Sequence, residues 1–153
     1  MGRKHTEQAS KVTVKECGFD EAMSAVNERH RRRGALPRVQ VHFCLVAILD
    51  GEPAGYAVIG APCSPKLNPQ KEVMRVVSWK WGAASALYRE AEKRGATLTY
   101  TDHDENGHSL RAAGWRIDRI GRTGPYWSNR SGRKNAVESN QQRARVRWRP
   151  PSF

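Results

Sequence analysis

The chain has 153 residues, of which 38% are hydrophobic, and a formal net charge of +12 at neutral pH. This length suits one globular domain with a buried core. No apolar run approaches the roughly 20 residues of a membrane-spanning helix, and no signal peptide is evident. Cys17, Cys44 and Cys63 are widely spaced, which argues against a zinc site or a disulfide framework. We therefore expect a cytoplasmic protein without a membrane partner.

The positive charge is concentrated towards the end of the chain. Residues 116–153 carry ten basic side chains and two acidic ones, whereas residues 1–115 carry seventeen and thirteen. A strongly basic segment that follows a region in which positive and negative charges nearly balance indicates a polyanionic partner. The pattern favours nucleic acid, with DNA first; the alternative is a highly charged surface without a specific partner. It does not indicate an oligomeric state.

The first half of the chain predicts one helix and a three-strand meander. Residues 1–10 are expected to be flexible, and alternation at residues 11–17 predicts a strand. An apolar stripe then predicts a helix over residues 19–33, with acids at its start and arginines at its end. The stripe consists of Phe19, Ala22, Met23, Val26 and His30. Strands at 38–49 and 54–62 flank a DGEP turn, and a third strand follows at 72–79.

The second half predicts alternating helices and strands, followed by a basic tail. A helix at 83–94 leads into a strand at 96–102, a short helix at 107–113 and a strand from 115. Beyond about residue 124 the chain is polar and rich in turn residues, with little that would form a core. We therefore predict one domain over residues 11–127 and an extended basic tail over residues 128–153.

This order of elements, together with the sequence WKWGAASALY at 79–88, resembles the GNAT acetyltransferase fold. The resemblance implies a single α/β domain with a mixed, mostly antiparallel, splayed sheet flanked by helices. It also implies that a glycine-containing helix start binds the pyrophosphate of acetyl-CoA or a related acyl donor, as helix N-termini bind anions. The corresponding residues here are Val76, Val77, Trp81, Gly82, Ala83, Ala84 and Ser85.

A narrower resemblance involves the strand motif EVMR at 72–75 and the sequence SLRAAGW at 109–115. It is to GNAT-like proteins mostly from phages and prophages, which are similar in turn to the Mom-type enzymes that modify adenine in DNA. The resemblance implies that Arg75 and Asp102 lie at the centre of the site. It also places Ser109 where GNAT proteins often contact the coenzyme.

Each of these residues also has a structural interpretation. Asp102 binds or deprotonates an amine, or else caps the short helix that follows, as Asp104 or Asn106 also could. In a regular strand, Arg75 shares a face with Val73 and Val77, where it either forms a buried ion pair with Asp102 or grips an anion. Ser109 contacts the coenzyme or caps the helix.

The nucleic-acid interpretation involves two groups of residues. Arginines at the end of the first helix suit a phosphate backbone, although a solvated helix end has the same composition. Aromatic residues among cations in the tail suit base stacking, although Trp127 also suits the core. The candidates are Arg29, Arg31, Arg32, Arg33, Arg38, Trp127, Arg130, Arg133 and Lys134.

The acidic loop after residue 102 also contains His103 and His108. Imidazole and carboxylate groups suit iron or zinc, but polar loops are commonly rich in such residues, and we predict no metal site.

Three functions follow from these observations. The first is a phage-type acyltransferase that acts on an amine, with adenine in DNA as the favoured acceptor. The second is a nucleic-acid-binding protein on a GNAT fold that has lost its coenzyme, favoured by the single glycine of the WGAAS turn. The third is an acetyltransferase of a small molecule or protein, which leaves the basic tail unexplained.

Overall fold

The computed structural model describes residues 11–29, 36–62, 64–102, 105–121 and 145–153. These residues form seven strands and three α-helices, with short 3-10 turns at Arg38–Gln40 and Pro65–Leu67. The strands are β1 (Thr13–Cys17), β2 (Val41–Leu49), β3 (Glu52–Gly60), β4 (Lys71–Ser78), β5 (Ala96–Asp102), β6 (Arg116–Ile120) and β7 (Arg145–Arg149). The helices are α1 (Phe19–Arg29), α2 (Ala83–Lys93) and α3 (His108–Ala112). None of the helices in these ranges is long and apolar enough to cross a membrane.

All seven strands belong to one sheet in the order β1-β2-β3-β4-β5-β7-β6. Every neighbouring pair in this sheet is antiparallel except β4 and β5, which run parallel. The tight turn between β2 and β3 has positive φ angles at both Asp50 and Gly51, as expected for a two-residue hairpin loop. The predicted meander and the single α/β domain with a mostly antiparallel sheet are therefore confirmed.

The helices divide the core into two parts, one on each side of the sheet. On the α1 side, Ala22, Met23 and Val26 pack against a cluster that includes Val58 and Val77. On the α2 side, the cluster is formed by residues of the sheet, α2 and α3, among them Leu45, Ile59, Leu87, Leu110, Trp115 and Trp148. Of the predicted stripe, Ala22, Met23 and Val26 are buried and Phe19 is partly buried against the same cluster, whereas His30 lies outside the described residues.

The last strand corrects the expectation of a tail with little core-forming material. β7 lies between β5 and β6, where Val146 and Trp148 face the α2-side core. Trp148 is 1% exposed, and its indole N–H donates a hydrogen bond to Thr101 Oγ1 at 2.9 Å. Alternation along β7 buries these two side chains and turns the arginines to the opposite side. Residues 1–10 and 128–144 lie outside the described residues.

The parallel pair β4–β5 separates part-way along its length. Pairing between these strands is confined to Lys71, Glu72 and Val73 of β4, and Val73 is paired with Thr99. At the same point Met74 forms a bulge, because β3 residues Val58 and Ile59 pair with Arg75 and Val73. The predicted splay is therefore present, and the end of β4 diverges from the end of β5.

The bulge also corrects the predicted orientation of Arg75. Val73 belongs to the α2-side core and Val77 to the α1-side core, so the two valines do not share a face. Arg75 pairs with Val58, which also lies on the α1 side. Because directly paired residues of neighbouring strands share a face, Arg75 lies on the α1 side.

Candidate functional site

A pocket of about 620 Å³ lies at the start of α2. Its walls come from the β4–α2 connection, the first turns of α2, the start of α3 and Val12. Pockets of this size suit small-molecule ligands and cofactors. The lining residues include Trp81, Gly82, Ala84 and Ser85 from the predicted coenzyme turn, and also Ser109. The fold thus brings together residues that lie more than twenty positions apart in the sequence.

Gly82 sets the geometry of this helix start. It is the N-cap of α2, with φ of 85°, a left-handed conformation that glycine adopts without a steric penalty. A Cβ added to Gly82 would meet only Val12 Cγ2, at 4.0 Å, so the approach to the helix start is open. Ser85 Oγ donates to the Gly82 carbonyl at 3.1 Å, which fixes the first turn. The first N–H groups of a helix lack intrahelical acceptors and favour an anion here.

The charged side chains of the pocket are all basic. Lys80 and Arg89 line it together with His108, and no carboxylate is among the described lining residues. Arg89 Nη2 donates to the Ala112 carbonyl at 2.7 Å, which links α2 to α3 across the pocket. The indole of Trp81 is 85% exposed at the same place. The arrangement suits an anionic ligand that carries an aromatic ring.

The other predicted coenzyme residues do not line the pocket. Ala83 faces the core, and its N–H donates to the Lys80 carbonyl at 3.2 Å. Val77 is buried on the α1 side of the sheet, whereas Val76 packs against the α2-side core. Their roles in coenzyme binding remain predictions.

Arg75 and Asp102 lie on the two strands that diverge, beyond the point where β4 and β5 stop pairing. Asp102 pairs with Arg145, and the preceding residue Thr101 pairs with Val146, which faces the α2 side. Asp102 therefore lies on the α1 side, as Arg75 does. Arg75 Nη1 donates to the Met74 carbonyl at 2.9 Å. The structure places both residues on the same face of the sheet, one on each of the two strands that bound the cleft; their functional roles remain predictions.

The cap of α3 bears on the alternative role of Asp102. Asn106 Oδ1 accepts a hydrogen bond of 2.9 Å from the backbone N–H of His108, at the first residue of the helix. Asn106 therefore supplies a side-chain acceptor at the start of α3, the structural role that is the alternative for Asp102. His108 is exposed, and His103 lies outside the described residues. Within the described ranges, no group of three or more metal-ligating side chains is present.

Aromatic and charged side chains surround the end of β4 on the α1 side. Tyr56 Oη donates to Glu21 Oε2 at 2.7 Å, and the Tyr56 ring lies 6.0 Å from the Trp79 ring. Burial and the hydrogen bond to Glu21 raise the pKa of Tyr56 to about 12. The hydroxyl therefore stays protonated and acts as a donor at neutral pH.

Two of the predicted nucleic-acid residues are described. The Arg29 guanidinium lies 4.2 Å from the Trp79 ring centroid, and its Nη1 is 3.7 Å from Glu28. The Arg38 guanidinium lies 5.0 Å from the Phe19 ring and 3.9 Å from Asp20. The remaining candidates lie outside the described residues: Arg31, Arg32, Arg33, Trp127, Arg130, Arg133 and Lys134.

Sequence reasoning missed Lys80 and Arg89 as pocket residues. Arg89 follows Ser85 by four positions, which places both on one face of α2, so the helical period carried a usable signal. Lys80 lies inside the WKWG segment but carries no motif of its own.

Solved structures of known proteins resemble this fold. An acetyltransferase of the GNAT family from Streptococcus pneumoniae is 14% identical, with a TM-score of 0.55, and the match covers 90% of this chain and 98% of that one. An IAA acetyltransferase from Bacillus cereus is 18% identical, with a TM-score of 0.55 and coverages of 90% and 97%. A streptothricin acetyltransferase from Bacillus anthracis in complex with acetyl coenzyme A is 13% identical, with a TM-score of 0.50 and coverages of 88% and 68%.

No protein-family model and no curated protein sequence matches the chain. At these identities the likeness between structures concerns the fold alone. The shared features are the element order, the mostly antiparallel sheet and the flanking helices, over nine-tenths of the chain. The chain therefore has the GNAT fold.

Proposed function

We propose that this protein is an acyl-CoA-dependent N-acyltransferase whose acceptor is an amine of a nucleic acid, with adenine in DNA as the favoured acceptor. The observation that carries the proposal is the basic pocket at the start of α2, beside the point where β4 and β5 separate. The GNAT fold supports it, as does the resemblance of EVMR and SLRAAGW to GNAT-like phage and prophage proteins, which are similar in turn to Mom-type enzymes. The likeness to solved structures concerns the fold alone, so the acceptor is inferred from this resemblance and from the chain's own residues.

The pocket fits an acyl-CoA. Its polyphosphate requires positive charge without nearby carboxylates, which Lys80, Arg89 and the N-terminus of α2 supply. Exposed Trp81 offers a surface on which an adenine ring stacks. An acyl-CoA bound here supplies an acyl group activated as a thioester.

The residues across the cleft suit the other half of the reaction. Asp102 and Arg75 lie on the α1 side of the sheet, whereas α2 lies on the opposite side. An acyl chain that passes between the separated strands therefore reaches the carboxylate from the pocket. Asp102 orients the acceptor amine and takes its proton as the new C–N bond forms and the C–S bond breaks. Arg75, on the same side of the sheet, is assigned to orient that carboxylate.

The charge distribution supports a nucleic acid as the acceptor. The chain carries a net charge of +12, and Arg29 and Arg38 lie at the two ends of the segment that leaves α1. These cations suit phosphate groups, whose neutralisation releases counterions.

A titration with acetyl-CoA tests the coenzyme half of the proposal. Lys80→Ala removes a cation from the pocket, whereas Lys93→Ala removes the same charge from the exposed last turn of α2. We expect Lys80→Ala to weaken binding about tenfold, the loss of one charge-assisted contact, and Lys93→Ala to leave it unchanged. Failure of the unmodified protein to bind acetyl-CoA would contradict the proposal.

Modification of duplex DNA tests the acceptor half. Nucleosides from DNA incubated with the protein and acetyl-CoA are analysed by mass spectrometry. Asp102→Asn preserves the shape of the side chain and removes its charge. We therefore expect the variant to lose DNA modification while it keeps its acetyl-CoA binding and its melting temperature. Full modification by Asp102→Asn would remove Asp102 from the chemistry. Nucleic-acid binding without acetyl-CoA binding would instead favour the second function, a binding protein on a GNAT fold.

A further inference from the structure

One side of the sheet carries a row of arginines that the pocket does not use. Along β7, Val146 and Trp148 face the α2-side core, so Arg145, Arg147 and Arg149 face the other side. On β6, Arg119 pairs with Arg147 and Arg116 pairs with Arg149, which places both β6 arginines on that side as well. We call this surface the arginine face; it consists of Arg116, Arg119, Arg145, Arg147 and Arg149.

The arginine face combines a fixed centre with exposed edges. Asp118 Oδ2 lies 2.6 Å from Arg147 Nη2 and 3.3 Å from Arg149 Nε. These contacts hold the two central guanidinium groups, and Arg149 is only 5% exposed. Arg116, Arg119 and Arg145 are exposed. Asp118, together with Asp102 beside Arg145, does not balance five guanidinium groups, so the surface keeps an excess of positive charge.

The described helices leave this surface accessible. α1 packs on the same side of the sheet but against β2, β3 and β4, away from β6 and β7. The segment that joins β6 to β7, residues 122–144, contains Arg122, Arg130, Arg133, Lys134 and Arg143. Its structure lies outside the described residues, and it is flanked by Gly121, directly after β6, and by Arg145, the first residue of β7.

The arginine face also borders the cleft. Arg145 pairs directly with Asp102, the last residue of β5, on the same side of the sheet. A polyanion on this face therefore lies next to the carboxylate assigned to the acceptor amine.

We infer that the arginine face binds the phosphate backbone of a nucleic acid and directs one of its bases towards the β4–β5 cleft. This inference rests on the proposed function, since it names the surface that holds the acceptor. Guanidinium groups match phosphate oxygens in a bidentate manner, and all five cations of the face are arginines. A membrane surface fits less well, because an interfacial element needs large apolar side chains beside its cations. The exposed apolar residues nearby are few: Ile117 and Ile120 of β6 pair with Trp148 and Val146 and so face the opposite side, and Phe153 lies against Arg149 at the edge of the face.

Binding of a fluorescent 20-base-pair duplex, followed by anisotropy over a range of NaCl concentrations, tests the inference. The test variant is Arg119→Ala with Arg145→Ala, both at exposed positions. The control is Lys66→Ala with Lys93→Ala, which removes the same charge from exposed positions outside the face. Each lost phosphate contact lowers the slope of log affinity against log salt by about 0.9. The slope for the test variant should therefore be smaller by about 1.8. If its line and that of the unmodified protein meet at 1 M salt, this difference lowers its affinity about 60-fold at 0.1 M salt.

The outcomes separate this inference from the proposed function. An unchanged slope in the test variant, or an equal loss in the control, overturns the inference, provided that both melt as the unmodified protein does. Binding to vesicles of phosphatidylglycerol but not to the duplex overturns it as well, in favour of a membrane partner. Acetyl-CoA binding is measured on the same samples. If the coenzyme binds and the duplex does not, the inference alone fails; if the duplex binds through this face and the coenzyme does not, the proposed enzyme activity fails.

Discussion

At the scale of single residues, Gly107 tolerates a side chain poorly. Its φ of 67° is left-handed, and a Cβ added there would collide with the buried ring of Trp148. Gly51 has a φ of 79°, but nothing lies within 4 Å of its added Cβ. Comparison of these two glycines separates backbone strain from a steric clash.

We expect Gly51→Ala to lower the free energy of unfolding by about 1–2 kcal/mol, the cost of the left-handed conformation. Gly107→Ala should cost more, by a further 1–3 kcal/mol or so, because Trp148 must move within a packed core. Urea unfolding of both variants provides the measurement. Equal losses would mean that the Trp148 ring adjusts freely.

Asp118 makes the stability of the arginine face dependent on pH. Its partial burial by itself raises the pKa, but hydrogen bonds from Arg147 and Arg149 outweigh this effect and hold the pKa of Asp118 below its ordinary value of 3.8. A carboxyl group with a lowered pKa in the folded state stabilises the fold at neutral pH. This stabilisation is lost as the pH falls from the ordinary pKa through the lowered one.

The unmodified protein should therefore lose stability below about pH 4 more steeply than Asp118→Asn does. At pH 7 the substitution itself should destabilise the fold, because it replaces the charged acceptor of the hydrogen bonds from Arg147 and Arg149 by a neutral one. Glu52→Gln, at an exposed position of β3, serves as the control and should follow the unmodified curve. Parallel acid curves for all three proteins would show that Asp118 contributes no pH dependence. The readout is the urea midpoint as a function of pH.

At the scale of elements, β7 completes the sheet although it comes last in the sequence. It pairs with β5 on one side and β6 on the other, and it brings Trp148 and Val146 into the core. Loss of a buried tryptophan costs about 3–5 kcal/mol, a large part of the roughly 5–15 kcal/mol that stabilises a domain.

Deletion of residues 145–153 should therefore abolish cooperative unfolding, whereas deletion of 151–153 should cost no more than about 2 kcal/mol, because it removes surface contacts only. Those contacts include the 4.1 Å approach of Arg149 to the Phe153 ring. Thermal melts followed by circular dichroism distinguish the two results. A cooperative melt of the longer deletion would show that β5 and β6 close the sheet without β7.

The sequence predicted those elements whose signal is periodic and local. α1 was recognised from its apolar stripe and β5 from its alternation, and both are present. β7 also alternates, as Arg-Val-Arg-Trp-Arg, but its basic composition concealed that only two of its side chains are needed to fill the core. The bulge at Met74 left no trace, because the run around it is apolar at almost every position and suits either register.

The site was predictable to the same extent. Two parts of the site carried recognisable motifs: the turn at Gly82 and the segment that begins at Ser109. Both Gly82 and Ser109 line the pocket. Arg89 and Lys80 join them only because α2 and the β4–α2 connection fold around the same space. The arginine face depends on the pairing of β6 with β7, which are separated by more than twenty residues in the sequence. Long-range pairing of this kind has no local signature.

At the scale of the whole molecule, the net charge of +12 opposes folding through self-repulsion. A domain of this length has a radius of gyration of about 15 Å. The Debye length is about 30 Å in 0.01 M salt and about 8 Å in 0.15 M salt. In low salt, therefore, every cation repels every other, whereas in physiological salt only neighbours interact.

Because salt screens this long-range repulsion, we predict that NaCl stabilises the protein at pH 7. Between 0.01 and 0.15 M salt the urea midpoint should rise, because screening relieves long-range repulsion more than it weakens short contacts such as Asp118–Arg147 at 2.6 Å. Near pH 10.3, the isoelectric point, the net repulsion vanishes and the midpoint should become insensitive to salt. A midpoint that falls with salt at pH 7 would mean that short ion pairs, among them Asp118–Arg147 and Glu90–Arg94, outweigh the repulsion. The excess of positive charge would then contribute little to the instability of the fold.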